Sequence, residues 1–299
     1  MLTAPGSGSS GLDLSVIIVS HDSAAFLGRC LDSVDRHLTP LAGEVCVVDN
    51  ASRDRSVELA AGRDGVRVVA NSVNRGFAAA VNQGLATTTG RYVLWLNPDA
   101  ALVDDGLPTL VEYMDAHASV GIVGPRILDP DGSLQRSARA FPSYDWAFGH
   151  RHSLLTRLFP NNPYSRRYLL ADLDPSRPRA VDWVSGAAQL HRLALVDRIG
   201  GLDETFFLYC EDVDFCLRAR RAGWTTEYHP ALVVEHEVAG STRARSRAML
   251  FERHRTLWRY NKKHFTRSPF VDPVAWMAIW SRCGLVIAED AVRSMWRRS

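Results

Sequence analysis

The feature that most constrains this chain is a repeated alternation of two patterns. Short apolar runs rich in β-branched residues are each followed by a polar turn and then by apolar residues at helical spacing. Leu14-Ser15-Val16-Ile17-Ile18-Val19 opens the series and has the unbroken apolar character of a strand buried on both faces. Asp22 or Ser23 can cap the next helix, in which Phe26, Leu27, Cys30, Leu31, Val34 and Leu38 follow helical spacing until Pro40 and Gly43 end it. The alternation continues with a strand over Glu44 to Val48, a helix around Ser56 to Ala61 and a strand over Val66 to Ala70. A helix from about Phe77 to Thr87, a strand over Tyr92 to Leu96, a helix over Leu107 to His117 and a strand at Gly121 to Val123 follow. Strands alternating with helices predict an α/β fold with a mostly parallel, twisted sheet flanked by helices. Ligands of such sheets gather outside the carboxyl ends of the strands, so the polar residues just after each strand are the candidates.

The remainder of the chain is read by contrast with this pattern. From Ser133 to Arg179 it is irregular and holds Pro142, Pro160, Pro163, Pro175 and Pro178, as expected of a long insertion or a mobile substrate loop. Regular structure resumes at Val181 to Val184, with a helix from near Glu211 to Ala222 and short strands at Thr225 to Tyr228 and Leu232 to Glu235. The expected organisation is a disordered Gly/Ser-rich tail over 1–12, a catalytic unit over 13–265, and a helical C-terminal extension over 266–299. Within the catalytic unit, about 13–130 is the nucleotide-binding half and about 180–265 the acceptor-binding half. No basic start or apolar run marks the first residues as a signal peptide. The five cysteines form no CxxC pair, which argues against a zinc knuckle and fits a reducing cytoplasm. A net charge of +2 gives no global signal for nucleic acid.

The first strand ends in Ser20-His21-Asp22-Ser23, with no glycines to let a backbone approach phosphate. That disfavours a dinucleotide fingerprint, a P-loop and a sugar nucleotidyltransferase. The second strand delivers Asp49-Asn50 and the fourth delivers Asn97-Pro98-Asp99 to the same sheet edge. Asp49 is either a turn or cap residue or an acceptor for a base or ribose. Asp99 is either a turn residue or a hard oxygen ligand for a divalent cation holding a diphosphate. Glu211-Asp212-Val213-Asp214 either complements a helix dipole or supplies a general base whose pKa burial would raise. His236, after a strand, is either structural or a metal ligand.

Together, Val47-Val48-Asp49-Asn50-Ala51-Ser52, Asn74-Arg75-Gly76-Phe77-Ala78, Asn97-Pro98-Asp99, Gly186-Ala187, Gly200-Gly201-Leu202-Asp203-Glu204 and Phe206-Phe207-Leu208-Tyr209-Cys210-Glu211-Asp212-Val213-Asp214 resemble family two glycosyltransferases of the GT-A fold. The nearest group is the bacterial rhamnosyltransferases of cell-wall and O-antigen assembly. The resemblance implies an inverting transfer of a sugar, L-rhamnose from dTDP-rhamnose, to a hydroxyl of a polyprenyl-diphosphate-linked saccharide. Other donors (UDP-galactofuranose, a UDP- or GDP-hexose) and a non-catalytic sugar-nucleotide-binding scaffold are the alternatives. It implies that Asp49 binds the nucleobase, with Ser20, Asn50, Arg75, Gly76, Asn82 and Asn97 also on the donor. Asp99 and His236 would hold Mg2+ or Mn2+, and Asp212 would be the catalytic base. Trp183, Gly186 and Glu211 would lie where acceptor and donor sugar meet. Asn97 stands where the motif has its first acid, so a cation would bind mainly when the nucleotide brings its phosphates.

The C-terminal segment sets Trp276, Ile279, Trp280, Leu285, Val286 and Ile287 among Arg282, Arg293, Arg297 and Arg298, after a basic stretch from Arg243 to Arg267. Val271 to Ala288, interrupted by Asp272, Pro273 and Arg282, is not expected to span a bilayer. It is expected either to lie peripherally on the inner face of the plasma membrane or to pack on the catalytic domain or a second subunit.

Overall fold

A computed structural model describes residues 11–39, 41–142, 158–159, 162–237, 247–265 and 269–296. The expected tail lies almost wholly outside these residues, as does the middle of the irregular segment. The strands are β1 (Leu14–Ser20), β2 (Gly43–Asp49), β3 (Val66–Ala70), β4 (Tyr92–Leu96), β5 (Ala100–Leu102), β6 (Val120–Leu128), β7 (Leu134–Gln135), β8 (Ala138–Arg139), β9 (Arg179–Val181), β10 (Trp183–Val184), β11 (Ala188–Arg192) and β12 (Thr225–His236). The helices are α1 (Ala24–Leu38), α2 (Ser56–Ala61), α3 (Phe77–Leu85), α4 (Leu107–Ala116), α5 (Pro163–Tyr168), α6 (Leu193–Ile199), α7 (Glu211–Arg221), α8 (Arg247–His264) and α9 (Val271–Trp296).

The main sheet runs β3-β2-β1-β4-β11-β6-β12-β5, with β7 beside β6 and β9 beside β12. The β3-β2-β1-β4 half is parallel throughout. Strand β11 enters antiparallel between β4 and β6, β12 runs parallel to β6, and β5 closes the edge antiparallel to β12. The sheet is thus a mixed one of mostly parallel strands flanked by helices. The two strands expected at Thr225 to Tyr228 and Leu232 to Glu235 are one strand, β12, with a register shift between His229 and Val233. Strand β6 runs to Leu128, well past the expected Val123.

Two cores explain the apolar runs. Leu14, Val16 and Ile18 of β1 join α1 and α4 on one face, while Ile17 and Val19 join α3, α6 and α7 on the other. A strand covered on both faces can spare neither set of side chains to water, so its sequence is continuous rather than alternating. A third cluster, Phe206, Val213 and Tyr260, seats α8 on α7. Among the described residues all five cysteines are free thiols.

Helix α9 runs unbroken through two of the expected interruptions. By length and composition alone, Val271–Ala288 passes for a bilayer-crossing helix. Asp272 and Pro273 do not interrupt it, because they sit in its first turn. There the missing proline N–H is no loss, and an acid suits the dipole.

Candidate active site

The site begins at the carboxyl ends of β1 and β2, where parallel register sets Ser20 beside Asp49. Asp49 is buried, and its carboxylate accepts from the Ser52 amide at 2.9 Å and the Ser52 hydroxyl at 2.5 Å. Asn50 holds the next wall of the site. Its Oδ1 accepts from the Arg75 amide at 3.0 Å, and its Nδ2 donates to the Gly76 carbonyl at 3.0 Å. The Arg75 guanidinium is thereby carried on an exposed residue whose backbone is pinned. Gly76 sits at φ +86°, and a Cβ there would lie 2.6 Å from the Phe207 carbonyl oxygen. Only glycine lets this loop close on Phe207, whose carbonyl accepts from the Phe77 amide at 2.7 Å.

That contact joins the donor side to the acidic helix. Tyr209 (φ +70°) and Cys210 (φ +67°) are consecutive left-handed residues immediately before Glu211. Such backbone costs about 1–3 kcal/mol per residue and persists only where its surroundings impose it, commonly at active sites. The turn starts α7 with Glu211, Asp212 and Asp214 in its first turn.

The three acids have three different environments. Asp212 accepts from the Gly186 amide at 3.0 Å and from the Val213 amide at 2.8 Å. Burial still pushes its carboxyl above the ordinary range, although the Gly186 amide and the Arg139 charge oppose the shift. Glu211 is buried, and its Oε2 has no hydrogen-bond partner among the described residues. Burial, with the nearby Asp212 charge, raises it further. Burial also raises Asp214, but His264, Lys263 and Arg218 outweigh it and hold that carboxyl at about 2. Lys263 Nζ and His264 Nε2 each lie 2.6 Å from Asp214 Oδ1, and Arg218 donates to Oδ2 at 2.8 Å. Asp214 is therefore a structural anion, and Asp212 is the acid with a raised pKa facing a glycine.

The third part of the site forms where β4 ends. The Asn97 amide donates to the Ala187 carbonyl at 2.9 Å, which ties this turn to the Gly186 loop. Antiparallel pairing of β5 with β12 sets His236 opposite Ala100, next to Asp99. His236 Nε2 lies 3.4 Å from Asp99 Oδ1, with both side chains almost buried. Gln135 orients the ring. Its Nε2 donates to the His236 carbonyl at 2.6 Å and to Asp129 at 2.7 Å, which turns its Oε1 to His236 Nδ1 at 3.1 Å. An amide oxygen only accepts, so Nδ1 carries the proton and Nε2 faces the Asp99 carboxylate. Two electron-rich atoms so placed share a proton or a cation. Neighbouring ligands about 2.1 Å from one ion lie about 3.0–3.5 Å apart, so the pair fits two positions of a divalent site. Among the described residues no group of three potential ligands forms.

The contacts thus link Asp49, Asn50, Gly76, Phe207, Asp212, Gly186, Asn97, Asp99 and His236 around one rim. Two expected contact residues lie in its walls. Asn82 Nδ2 donates to the Leu202 carbonyl at 2.9 Å and Glu204 at 3.0 Å, and Oδ1 accepts from the Leu202 amide at 2.8 Å. Both donors serve the 200–204 loop, which they tie to α3. The Trp183 indole N–H donates to the Ala140 carbonyl at 2.9 Å, leaving only its ring for a sugar, and that ring packs under α7. Gln135, Arg139 and His264 belong to no motif visible in the sequence.

Against this geometry, the family model described as glycosyl transferase family 2 matches residues 15–169, just over half of the chain. The chain belongs to glycosyl transferase family 2. It is 33% identical over 241 residues to an N-acetylglucosaminyl-diphospho-decaprenol L-rhamnosyltransferase of Mycobacterium tuberculosis, covering 77% of each chain. Rhamnosyltransferase WbbL of Escherichia coli is 26% identical over 232 residues, covering 74% of this chain and 82% of that one. Among solved structures, the mannosyltransferase PcManGT of Pyrobaculum calidifontis, in complex with GDP-Man and Mn2+, superposes with a TM-score of 0.58. That match is 16% identical and covers 95% of this chain and 81% of the other, so it speaks to the fold. Family membership makes the chain a glycosyltransferase, an enzyme that transfers a sugar from an activated donor.

Proposed function

We propose that this glycosyltransferase moves L-rhamnose from dTDP-rhamnose to a hydroxyl of a polyprenyl-diphosphate-linked saccharide, with inversion, on the way to a cell-wall or surface polysaccharide. The observation that carries the mechanism is Asp212, a half-buried carboxylate with raised pKa aimed at the Gly186 turn and contiguous with the Asp99–His236 pair. The sugar and acceptor classes are supported by the 33% identity to the mycobacterial enzyme, whose name specifies both a rhamnosyl transfer and a decaprenol-linked substrate.

In this reading Asp49 accepts from the base and the loop pinned by Asn50 lines the donor. Asp212 takes the proton from the acceptor hydroxyl as that oxygen attacks the anomeric carbon. A base with its pKa raised toward neutrality is better matched to this task than an exposed aspartate. Glu211, buried beside it, keeps the base environment poor in water. Asp99 Oδ1 and His236 Nε2 hold Mg2+ or Mn2+ with the donor diphosphate. When bound, that ion neutralises charge on the departing nucleotide. Because Asn97 brings no charge, cation and nucleotide are expected to bind together.

The test is calorimetry of dTDP-rhamnose, UDP- and GDP-sugars, each with and without Mn2+ or Mg2+, followed by NMR of the product linkage. Metal-dependent binding of dTDP-rhamnose and an inverted product support the reading. Preference for a uridine or guanosine donor replaces the donor assignment, and a retained configuration removes Asp212 from its role. No nucleotide binding by folded protein overturns the mechanism altogether.

A further inference from the structure

Helix α9 has the composition of a core helix and lies on the outside of the molecule. One ridge, Ile279 and Cys283, is buried against α8. Trp280 meets the Phe251 ring at 4.9 Å, and Asp272 pairs with Lys262 at 2.8 Å. The opposite face is apolar and open: Val274 is 60% exposed, Met277 53% and Leu285 66%, with Ala278, Ser281 and Ala288 completing it. The only charged residue between Pro273 and Ala288 is Arg282, which is half-buried. A helix apolar all round is ordinarily covered on all sides.

The charge distribution indicates what covers it. Residues 243–299 hold thirteen Lys and Arg against four Asp and Glu, a net +9. The rest of the chain is therefore −7, since the whole is +2. The described residues of this segment, 247–265 and 269–296, hold eight Lys and Arg against four Asp and Glu, so a two-fold contact through α9 would bring two net-positive regions together, which disfavours a second copy. An anionic surface is attracted instead. The helix is also poorly built to span. Its apolar window of 18 residues is about 27 Å long, short of the ~30 Å hydrocarbon core. It is also fastened lengthwise to polar α8. Trp276, half-exposed beside the buried ridge near the start of the helix, is the residue type that settles at headgroup depth.

We propose that this face of α9 docks on an anionic phospholipid bilayer, lying in the interface plane with α8 above it. It rests on the proposed function only in placing a lipid-linked acceptor at that surface; binding itself requires no turnover. The experiment is flotation of the full chain with phosphatidylcholine vesicles, with and without phosphatidylglycerol, at low and high salt. Wild-type protein is expected to float with the anionic vesicles, and salt to weaken binding. Val274→Asp with Leu285→Asp should lower partitioning about tenfold or more, as expected when apolar area leaves the interface. Val103→Asp, an equally exposed apolar site elsewhere, should not. All three proteins should keep their circular dichroism and their nucleotide-sugar binding. Failure to float with anionic vesicles, or flotation indifferent to the paired substitution, overturns the proposal while leaving sugar transfer untouched. A dimer by sedimentation velocity that the pair dissolves, without vesicle binding, assigns the face to self-association instead. Vesicle binding by a chain that fails the nucleotide calorimetry would separate the two proposals in the opposite direction.

Discussion

Three acids in four residues show how position decides chemistry at the scale of the residue. Asp214 is held ionised by Lys263, Arg218 and a hydrogen bond from His264, Glu211 is buried with an orphan oxygen, and Asp212 lies between with two backbone donors. Asp212→Asn should lower turnover by about 10²–10⁴, the range of a general base, while calorimetric donor binding stays within about twofold. Glu211 leads to a stability prediction. Its folded pKa is raised above the unfolded value, so the folded state retains a proton that the unfolded state releases. Stability therefore falls as pH rises through that window, and Glu211→Gln should raise the melting temperature at neutral pH. Urea titrations at two pH values test the sign. His191 acts at the other end of the scale. It is fully buried, 3.7 Å from Trp95 by ring centroids, and burial lowers it to about 3. The unfolded ring titrates near 6.5. Stability should then be lost as pH falls from about 6.5 toward about 3, by at most about 5 kcal/mol. Buried His254 and His229 shift the same way and share the loss. His191→Leu should flatten the acid limb of stability without altering turnover at neutral pH.

At the scale of the element, the helices and parallel strands followed their sequence patterns closely because each carries its own signal. Helix α2 spans Ser56–Ala61 and β4 spans Tyr92–Leu96, both as read from apolar spacing. Strand β11, Ala-Gln-Leu-His-Arg, carried none. Its Gln189 and His191 are buried, so polarity concealed a central strand. Gln189 donates to the Val184 carbonyl only five residues back, but the ring that covers His191 belongs to Trp95 of β4, which no local window contains. Strand β5, three residues long, is defined by pairing with β12 alone. Asn82 shows the same limit in the site: its hydrogen-bond partner Leu202 lies 120 residues on. Asn82→Ala removes those bonds and leaves the buried loop backbone unpartnered, and should cost about 1–3 kcal/mol in urea unfolding. Donor affinity should weaken only insofar as the loop moves, so a loss of donor binding with unchanged stability would return Asn82 to the donor site.

For the whole molecule, α8 is a brace and α9 an attachment. Lys263 and His264 supply two of the three partners of Asp214, and Tyr260 fills the cluster beneath α7. Deleting 247–299 should leave a buried carboxylate short of cations, a loss of about 3–5 kcal/mol, and abolish turnover with it. Deleting only 269–299 should preserve the melting transition and transfer to a water-soluble acceptor. Thermal melts of the two truncations separate brace from attachment, and equal destabilisation would show that α9 also supports the core.

The sequence alone determined the α/β class, the strand ends that carry Asp49 and Asp99, and the acidic start of α7. Those features are local: apolar period, turn chemistry and helix polarity act within a few residues. Tertiary structure alone decided which of the acids is buried and raised, which is ion-paired, and which faces His236. It also decided that Gln135 sets the ring of His236 and that His264 restrains Asp214. Protonation and ligation depend on what surrounds a group in space, and here those neighbours are brought in by strand order and helix packing from 50 to more than 100 residues away.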